Sequence, residues 1–387
     1  MNDVIYLDHN ATTPVAREVF EAMVPWLTGS FGNPSSVYRL GREAAAALDV
    51  ARGQVAALAG CRHEEIVFTS CGTESINTAI QAALAMDPDR RHIITSAVEH
   101  SATMKACEHL ARRGYEVTWL GVDSLGRLDP GELKAAIRSD TALVSLLWAN
   151  NETGVLFPVG EIASITQAAR VPLHIDAVQA FGKLPLDLGT LGVQFMSFSG
   201  HKIYAPKGVG ALYASHRVRF SPMLRGSQEE ERRGGTQNVA SIVGFGCAAA
   251  LAAERLNTGD VAPLRDRFEM SLLERLSGVR INGDRTNRLP NTTNLSFEDV
   301  ESEGALILLD EKGVCCSAGS ACSSASVNPS HVLKAMGLDN QQARSSLRFS
   351  IGHSTTAREI ERAIEAVVQA VSKMRALRPK GSPVLAA

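Results

Sequence analysis

Short apolar runs that alternate with helical stretches constrain the fold of this chain most strongly. Seven such runs lie at residues 66–68, 92–94, 115–120, 142–148, 173–175, 194–198 and 209–213. Each run is continuous and rich in branched side chains, which is typical of strands buried on both faces of a mostly parallel sheet. The pattern therefore predicts a doubly wound α/β fold with a mostly parallel seven-stranded sheet, whose ligands bind outside the carboxyl ends of the strands.

The pattern changes near residue 257, where a second and smaller unit is predicted. Its expected elements are a helix at 263–276 and strands at 279–281, 293–297 and 346–351. This order of elements is of the α+β kind. We therefore expect a large α/β domain at 15–256 and a small α+β domain formed by 1–14 and 257–387.

The composition is that of an ordinary enzyme. The chain has 387 residues, 45% of them hydrophobic and 21% charged, with a formal net charge of −2. No basic excess recruits nucleic acid or an acidic membrane surface. No unbroken apolar run reaches the roughly 18 residues that span a bilayer, and the first residues lack a signal peptide. Seven cysteines, an odd number without regular spacing, indicate free thiols and predict a cytoplasmic protein.

Lys202 is the first candidate functional residue. It follows the apolar run 194–198 in a loop of small and polar residues, Ser199 to Gly208. A lysine forms a Schiff base with an aldehyde only as the free amine, so its site must lower its pKa by burial or nearby positive charge. The alternative is an exposed lysine in a polar loop, and the other strand ends decide between the two.

The segment 69–75 follows the first run and contains small residues with hydroxyl groups. It precedes a helical stretch, so its backbone N–H groups and the positive end of the helix dipole would suit a phosphate. The alternative is an ordinary helix cap by Ser70 or Thr73.

Other polar residues also follow strands. Asp176 comes directly after a buried run and calls for a cationic partner, such as a protonated pyridine nitrogen. His100 and Asn151 follow two further runs. Together with Lys202 and a phosphate cradle, these residues predict a site for pyridoxal 5'-phosphate.

Two other kinds of site are disfavoured. The stretch from Gly244 to Ala250 loosely matches a dinucleotide fingerprint, but no strand precedes it, so we interpret its glycines as helix packing. Cys315, Cys316 and Cys322 lack the paired spacing of a zinc site.

The motifs resemble those of the NifS/IscS family of cysteine desulfurases, which are fold-type I pyridoxal phosphate enzymes of aminotransferase class V. The similarity runs from Tyr6-Leu7-Asp8-His9-Asn10-Ala11-Thr12-Thr13-Pro14 to Ser346-Leu347-Arg348-Phe349-Ser350. Its most specific parts are Ser199 to Gly208 and Gly319-Ser320-Ala321-Cys322-Ser323. Cys71-Gly72-Thr73 and Trp148 to Gly154 are more similar to the NifS branch.

The resemblance implies a cofactor role for each matching position. Lys202 is expected to bind the cofactor aldehyde as a Schiff base, Asp176 to pair with the pyridinium nitrogen, and His100 to stack on the ring and take part in catalysis. The other implied cofactor residues are Gly72, Thr73, Ser199, Gly200 and His201 at the phosphate, Asn151 and Gln179 at the ring oxygen or substrate, and Thr236, which would reach the phosphate of the neighbouring subunit in a homodimer.

On the substrate side, the resemblance implies that Arg348 clamps a carboxylate, with Asn10 and Asn151 beside it. Cys322 would act as the nucleophile and as a transient ligand of an iron–sulfur cluster. The implied reaction converts L-cysteine to L-alanine and leaves a persulfide on Cys322, from which sulfur passes to an iron–sulfur scaffold or another acceptor protein.

Two alternatives and two departures stay open. A selenocysteine lyase or another class V enzyme would share the cofactor residues, and a non-enzymatic scaffold protein would lack the cofactor. The loop Gly226 to Glu229 is one residue shorter than the pattern of the family, and Cys71 stands where the housekeeping branch usually has a small residue such as Gly or Ala. Cys315 and Cys316 have no assigned role, and a place as small buried hydrophobes is favoured over sulfur relay.

Overall fold

The structure is a computed structural model that describes residues 4–258, 261–318 and 329–377. The strands are β1 (Ile5–Tyr6), β2 (Ile66–Thr69), β3 (His92–Ser96), β4 (Glu116–Leu120), β5 (Thr141–Leu147), β6 (Leu173–Asp176), β7 (Phe195–Ser199), β8 (Gly210–Ala214), β9 (Val279–Ile281), β10 (Thr292–Phe297), β11 (Val314–Cys315) and β12 (Ser346–Ser350). The helices are α1 (Arg17–Thr28), α2 (Arg39–Ala59), α3 (Gly72–Met86), α4 (Ser101–Ala111), α5 (Pro130–Ala136), α6 (Val159–Ala169), α7 (Leu188–Leu191), α8 (Val239–Thr258), α9 (Ala262–Arg275), α10 (Ser302–Glu311), α11 (His331–Ala335), α12 (Asn340–Arg344) and α13 (Ala357–Leu377).

The predicted seven-stranded sheet is confirmed. Its strand order is β2-β8-β7-β6-β5-β3-β4, and each predicted run corresponds to one strand. The neighbours from β4 to β7 pair in parallel, whereas β8 runs antiparallel to both β7 and β2. Six strands are buried along their whole length, and only the edge strand β4 is exposed in part. Burial on both faces explains why the runs are continuous rather than alternating.

A second, antiparallel sheet has the order β12-β10-β9. It packs with α9, α10 and α13 around a separate core that includes Phe297 and Phe349. Ile5 and Leu7, from the N-terminal segment, lie in the same core. This packing agrees with the predicted grouping of 1–14 with the C-terminal part, although the domain limits themselves stay a prediction.

The C-terminal helix α13 begins with a capping box. The Thr356 hydroxyl accepts a hydrogen bond from the Glu359 backbone N–H, and the Glu359 carboxylate accepts one from the Thr356 N–H. An apolar stripe on this helix is buried at Ile360, Ile364, Val367 and Val371, and Val368 and Met374 pack against the same core. Helix α13 therefore contributes one face to the core of the small sheet.

The glycines that loosely match a nucleotide fingerprint lie inside α8, as predicted. A Cβ atom at Gly244 would lie 2.7 Å from the Met23 sulfur of α1, and one at Gly246 would lie 2.6 Å from the Ala51 Cα of α2. These glycines let α8 pack closely against α1 and α2. The stretch Val239–Leu256 could cross a membrane by length and composition alone, but half of it is buried inside the protein.

We expect the same substitution to have opposite effects at two glycines of this helix packing. Gly246→Ala should lower the free energy of unfolding by about 1–3 kcal/mol, because its Cβ would overlap the α2 backbone. Gly53→Ala should raise it by about 0.5–1 kcal/mol, because Gly53 is exposed on α2 and a Cβ there meets no described atom within 4 Å. Urea unfolding measures both, and equal effects would contradict the packing.

Candidate active site

A cavity of about 460 Å³ lies at the carboxyl ends of the central strands of the seven-stranded sheet. The predicted residues that line it are Asn10, Gly72, Thr73, His100, Asn151, Asp176, Gln179, Ser199, His201, Lys202 and Arg348. Three predicted residues are not among its lining residues. Gly200 is buried, Thr236 is exposed on the surface, and Cys322 lies outside the described residues.

Lys202 ends a single turn of 3₁₀ helix, Gly200–Lys202, that follows β7. Its amine donates hydrogen bonds to the backbone carbonyls of Asn10 at 2.6 Å and Ala11 at 2.7 Å. Gly200 allows this tight turn, because a Cβ there would lie 2.9 Å from the Val209 side chain. The lysine is therefore directed into the cavity and held by the N-terminal segment, and it does not lie on an exposed loop.

Asp176 is the last residue of β6 and is only 6% exposed. One carboxylate oxygen accepts a hydrogen bond from the Val178 backbone N–H at 2.9 Å. Burial raises the pKa of Asp176, and the positive charges of His100 and Lys202 offset this only in part. A buried carboxyl group in this state gains from a further cation beside it.

The N-terminus of α3 opens onto the same cavity. Cys71, which precedes the helix, makes no side-chain cap hydrogen bond within the described residues. The Ser70 backbone N–H instead donates to the Glu74 carboxylate at 2.8 Å. A Cβ atom at Gly72 would lie 2.8 Å from the Val178 side chain. The first turn therefore presents backbone N–H groups and a positive dipole end, as an anion requires.

His100 and Arg348 both line the cavity. His100 caps α4, since its Nδ1 accepts a hydrogen bond from the Ala102 N–H at 3.2 Å. Arg348, on β12, is 1% exposed and donates to the Asn151 carbonyl at 2.9 Å and the Asp8 carboxylate at 2.7 Å. Its Nε has no hydrogen-bond partner among the described residues. A buried guanidinium with an unused donor is suited to a carboxylate ligand.

Two buried glutamates were not predicted as site residues. Glu99 accepts hydrogen bonds from the Ser96 hydroxyl at 2.6 Å and the Leu147 N–H at 3.0 Å, and burial raises its pKa to about 8. Glu152 lines the cavity, accepts a hydrogen bond from Ser330, and also has a raised pKa because of burial. Each has one oxygen without a partner in the described part of the chain. The sequence offered only a weak indication of either glutamate, because Glu99 directly precedes the predicted His100 and Glu152 directly follows the predicted Asn151.

Two further basic side chains, Lys183 and His331, were also not predicted as site residues. The Lys183 amine donates to the side-chain oxygens of Gln179 at 2.8 Å and Asn10 at 3.0 Å. His331 lines the cavity, with its Nε2 3.0 Å from the backbone oxygen of Glu99. The only signal for Lys183 was its spacing of four residues from Gln179.

The cysteines occupy different environments. Cys71 lines the cavity, and Cys315 lies in β11. Cys316 packs against the core of the small sheet, where burial raises its pKa, in agreement with the prediction of a small hydrophobic residue. Within the described ranges no three side chains of the metal-binding types form a cluster.

Comparisons with known proteins agree with this geometry. The aminotransferase class-V family matches residues 5–363. A cysteine desulfurase from Nostoc sp. (strain PCC 7120) is 50% identical over 379 residues, 97% of this chain and 95% of that protein. Cysteine desulfurase NifS from Azotobacter vinelandii is 47% identical over 380 residues, with 97% and 94% covered. A solved NifS-like protein superposes with a TM-score of 0.90 at 34% identity, over 96% of this chain and 100% of that chain. The chain therefore belongs to the aminotransferase class-V family and, within it, to the NifS-like cysteine desulfurases.

Proposed function

We propose that the protein is a pyridoxal phosphate-dependent cysteine desulfurase, which converts L-cysteine to L-alanine and leaves the sulfur as a persulfide on Cys322. The observation that carries the proposal is the convergence of Lys202, Asp176, His100 and Arg348 on one cavity. This chemistry needs a covalent anchor, an acid for a ring nitrogen, a stacking ring and a carboxylate clamp, which these four residues would supply in that order.

The described residues fit the cofactor. The N-terminus of α3 offers backbone donors to a phosphate, and Asp176 offers a buried carboxyl group whose raised pKa a ring cation would lower. Lys202 would hold the aldehyde through its amine. When bound, the cofactor supplies an electron sink for bond breaking at the α-carbon of the substrate.

The other side chains would handle the substrate. The Arg348 guanidinium binds the α-carboxylate and so fixes which bond of the α-carbon faces Lys202. The Lys202 amine, once free, takes the proton from the α-carbon. Its two carbonyl partners, Asn10 and Ala11, limit the positions that this amine can take.

Cys322 would take the sulfur. Its thiolate attacks the sulfur of the substrate, so that an S–S bond forms as the Cβ–S bond breaks, and protonation of the remaining carbon skeleton yields alanine. Five residues before Cys322, the Ser317 backbone exchanges hydrogen bonds with the Arg348 backbone. Eight residues after Cys322, the Ser330 hydroxyl donates to the Glu152 carboxylate. Cys322 follows Ala318 by four residues, a span of at most about 14 Å of chain. The chain on either side of Cys322 is therefore attached to residues that line the cavity, Arg348 and Glu152, and this supports the role of Cys322.

The cellular setting belongs to the same proposal. The persulfide sulfur passes to an acceptor protein such as an iron–sulfur scaffold, in the cytoplasm, with Cys322 as a transient cluster ligand. Thr236 is exposed and is not among the residues of the cavity in its own chain. An exposed Thr236 is accessible to a neighbouring subunit, and in the proposed homodimer it would complete the phosphate site of that subunit.

Lys202→Ala should abolish the visible absorbance of the bound cofactor and slow alanine formation about a hundred- to ten-thousandfold, because anchor and base are lost together. Lys207→Ala, at an exposed lysine of the same loop, is the matched control and should keep both. Absorbance spectra and alanine assays measure the two variants. Persistence of the cofactor band in Lys202→Ala would overturn the role of the lysine.

Arg348→Lys should raise the KM for L-cysteine about ten- to a hundredfold and change kcat less, because the ammonium keeps the charge but loses the two-pronged fit. Arg358→Lys, at an exposed position of α13, should leave KM unchanged. Steady-state alanine formation gives both constants. An unchanged KM in Arg348→Lys would remove this residue from the substrate site.

Cys322→Ser should lose catalytic turnover and the persulfide that alkylation and mass spectrometry detect on the wild-type protein. Cys315→Ser is the matched control and should retain both, since Cys315 lies in β11. Many turnovers by Cys322→Ser without added thiol would contradict the nucleophile assignment. Release of a keto acid in place of alanine by the wild-type protein would indicate an aminotransferase.

A further inference from the structure

Lys183 is a second lysine beside the cavity to which the reaction gives no task. It lies in the hydrogen-bonded turns that follow β6, four residues after Gln179. Part of the residue is exposed, but its amine end is enclosed by protein. With Lys202 it also lines a second cavity, of about 100 Å³.

The hydrogen bonds of Lys183 determine how the amide of Gln179 is oriented. The Lys183 amine contacts the Gln179 side-chain oxygen at 2.8 Å, and the Gln179 Nε2 donates to the backbone carbonyl of Asn10 at 2.9 Å. The Asn10 carbonyl can only accept, so the amide nitrogen of Gln179 must face it, and the amide oxygen then faces the Lys183 amine, which donates to it. The nitrogen of the amide then faces Asn10 and the cavity, which Gln179 lines.

The same network reaches Lys202. The Asn10 carbonyl that receives Gln179 is also the acceptor of the Lys202 amine at 2.6 Å. Lys183 donates in addition to the Asn10 side-chain oxygen at 3.0 Å, which Asn291 also contacts. Lys183 therefore supports both the side chain and the peptide group of Asn10 that position the anchor lysine.

We propose that Lys183 is a positioning residue: it orients the Gln179 amide so that an N–H group, and not a carbonyl oxygen, is presented to the cofactor site. The inference rests on the proposed pyridoxal phosphate function, and it assigns Lys183 a task that acts through Gln179. An N–H directed at the ring oxygen withdraws electron density from the ring and lowers the basicity of the nitrogen that joins Lys202 to the cofactor.

The surroundings of Lys183 fit this role. Burial, and the positive charges of Lys202 and Arg348, lower the pKa of Lys183 well below its ordinary value. The Lys183 amine donates to the side-chain oxygens of both Gln179 and Asn10, so it is held between the two residues that it positions.

The test is a double-mutant cycle read by the absorbance of the bound cofactor as pH is varied, with no substrate present. Lys183→Met, which keeps the length of the side chain but removes its donors, should raise the pH midpoint of the absorbance change by about one unit, as expected for loss of one hydrogen bond to a charged group. In a Gln179→Ala background the same change should move the midpoint by less than about 0.2 unit, because the residue through which Lys183 acts is gone.

Three further variants make the result decisive. Lys183→Arg keeps donors and can use the adjacent cavity, so it should restore the wild-type midpoint. Lys207→Met removes an exposed lysine and should have no effect. Lys183→Ala removes the same donors and should shift the midpoint in the same direction. It provides the measurement should Lys183→Met fold poorly.

The outcomes separate the inference from the proposed function. No shift in Lys183→Met and Lys183→Ala, or an equal shift with and without Gln179, would overturn the positioning role while the cofactor assignment stands. A wild-type protein that develops no absorbance band with pyridoxal phosphate would overturn the proposed function, and the inference with it.

Discussion

The hydrogen bonds of Asn10 are the interaction on which the site depends. On one side its backbone carbonyl receives the side chains of Lys202 and Gln179, which follow strands of the seven-stranded sheet. On the other side its amide donates to Thr292, at the start of β10 in the small sheet. One residue of the N-terminal segment thus connects Lys202 and Gln179, the proposed cofactor residues, to the sheet that carries Arg348, the proposed substrate clamp.

Several ionisable side chains in and around the cavity are buried, and their burial costs free energy of folding. Asp176, Glu99 and Glu152 all have raised pKa values because they lie away from water. Arg348 is fully buried with one donor unused among the described residues. Burial of these groups weakens the folded state, so a cation beside the Asp176 carboxyl group and an anion beside the unused Arg348 donor would both be favoured.

The sequence predicted more of the fold than of the site. Continuous apolar runs locate the seven strands because both faces of the sheet are covered, and the same reasoning finds β9, β10 and β12. Side chains at strand ends, such as Asp176 and Lys202, were accessible to the same logic. The acceptors of Lys202 are backbone carbonyls of Asn10 and Ala11, which no side-chain pattern reveals. A contact between residues far apart in the sequence, such as that of Arg348 with Asp8, is also not predicted by any local sequence pattern.

The two sheets divide the chemistry between them. The strand ends of the seven-stranded sheet supply Asp176 and Lys202, whereas the small sheet supplies Arg348, whose backbone pairs with Ser317 just before the cysteine segment. Under the proposed function, a change in β12 is expected to alter substrate recognition without moving Asp176 and Lys202. A change at Asn10 cannot separate the two parts in this way, because Asn10 contacts both the residues that follow the large sheet and Thr292 of the small sheet. A substitution there should disturb cofactor anchoring and the alignment of the substrate together, since the same residue carries both connections.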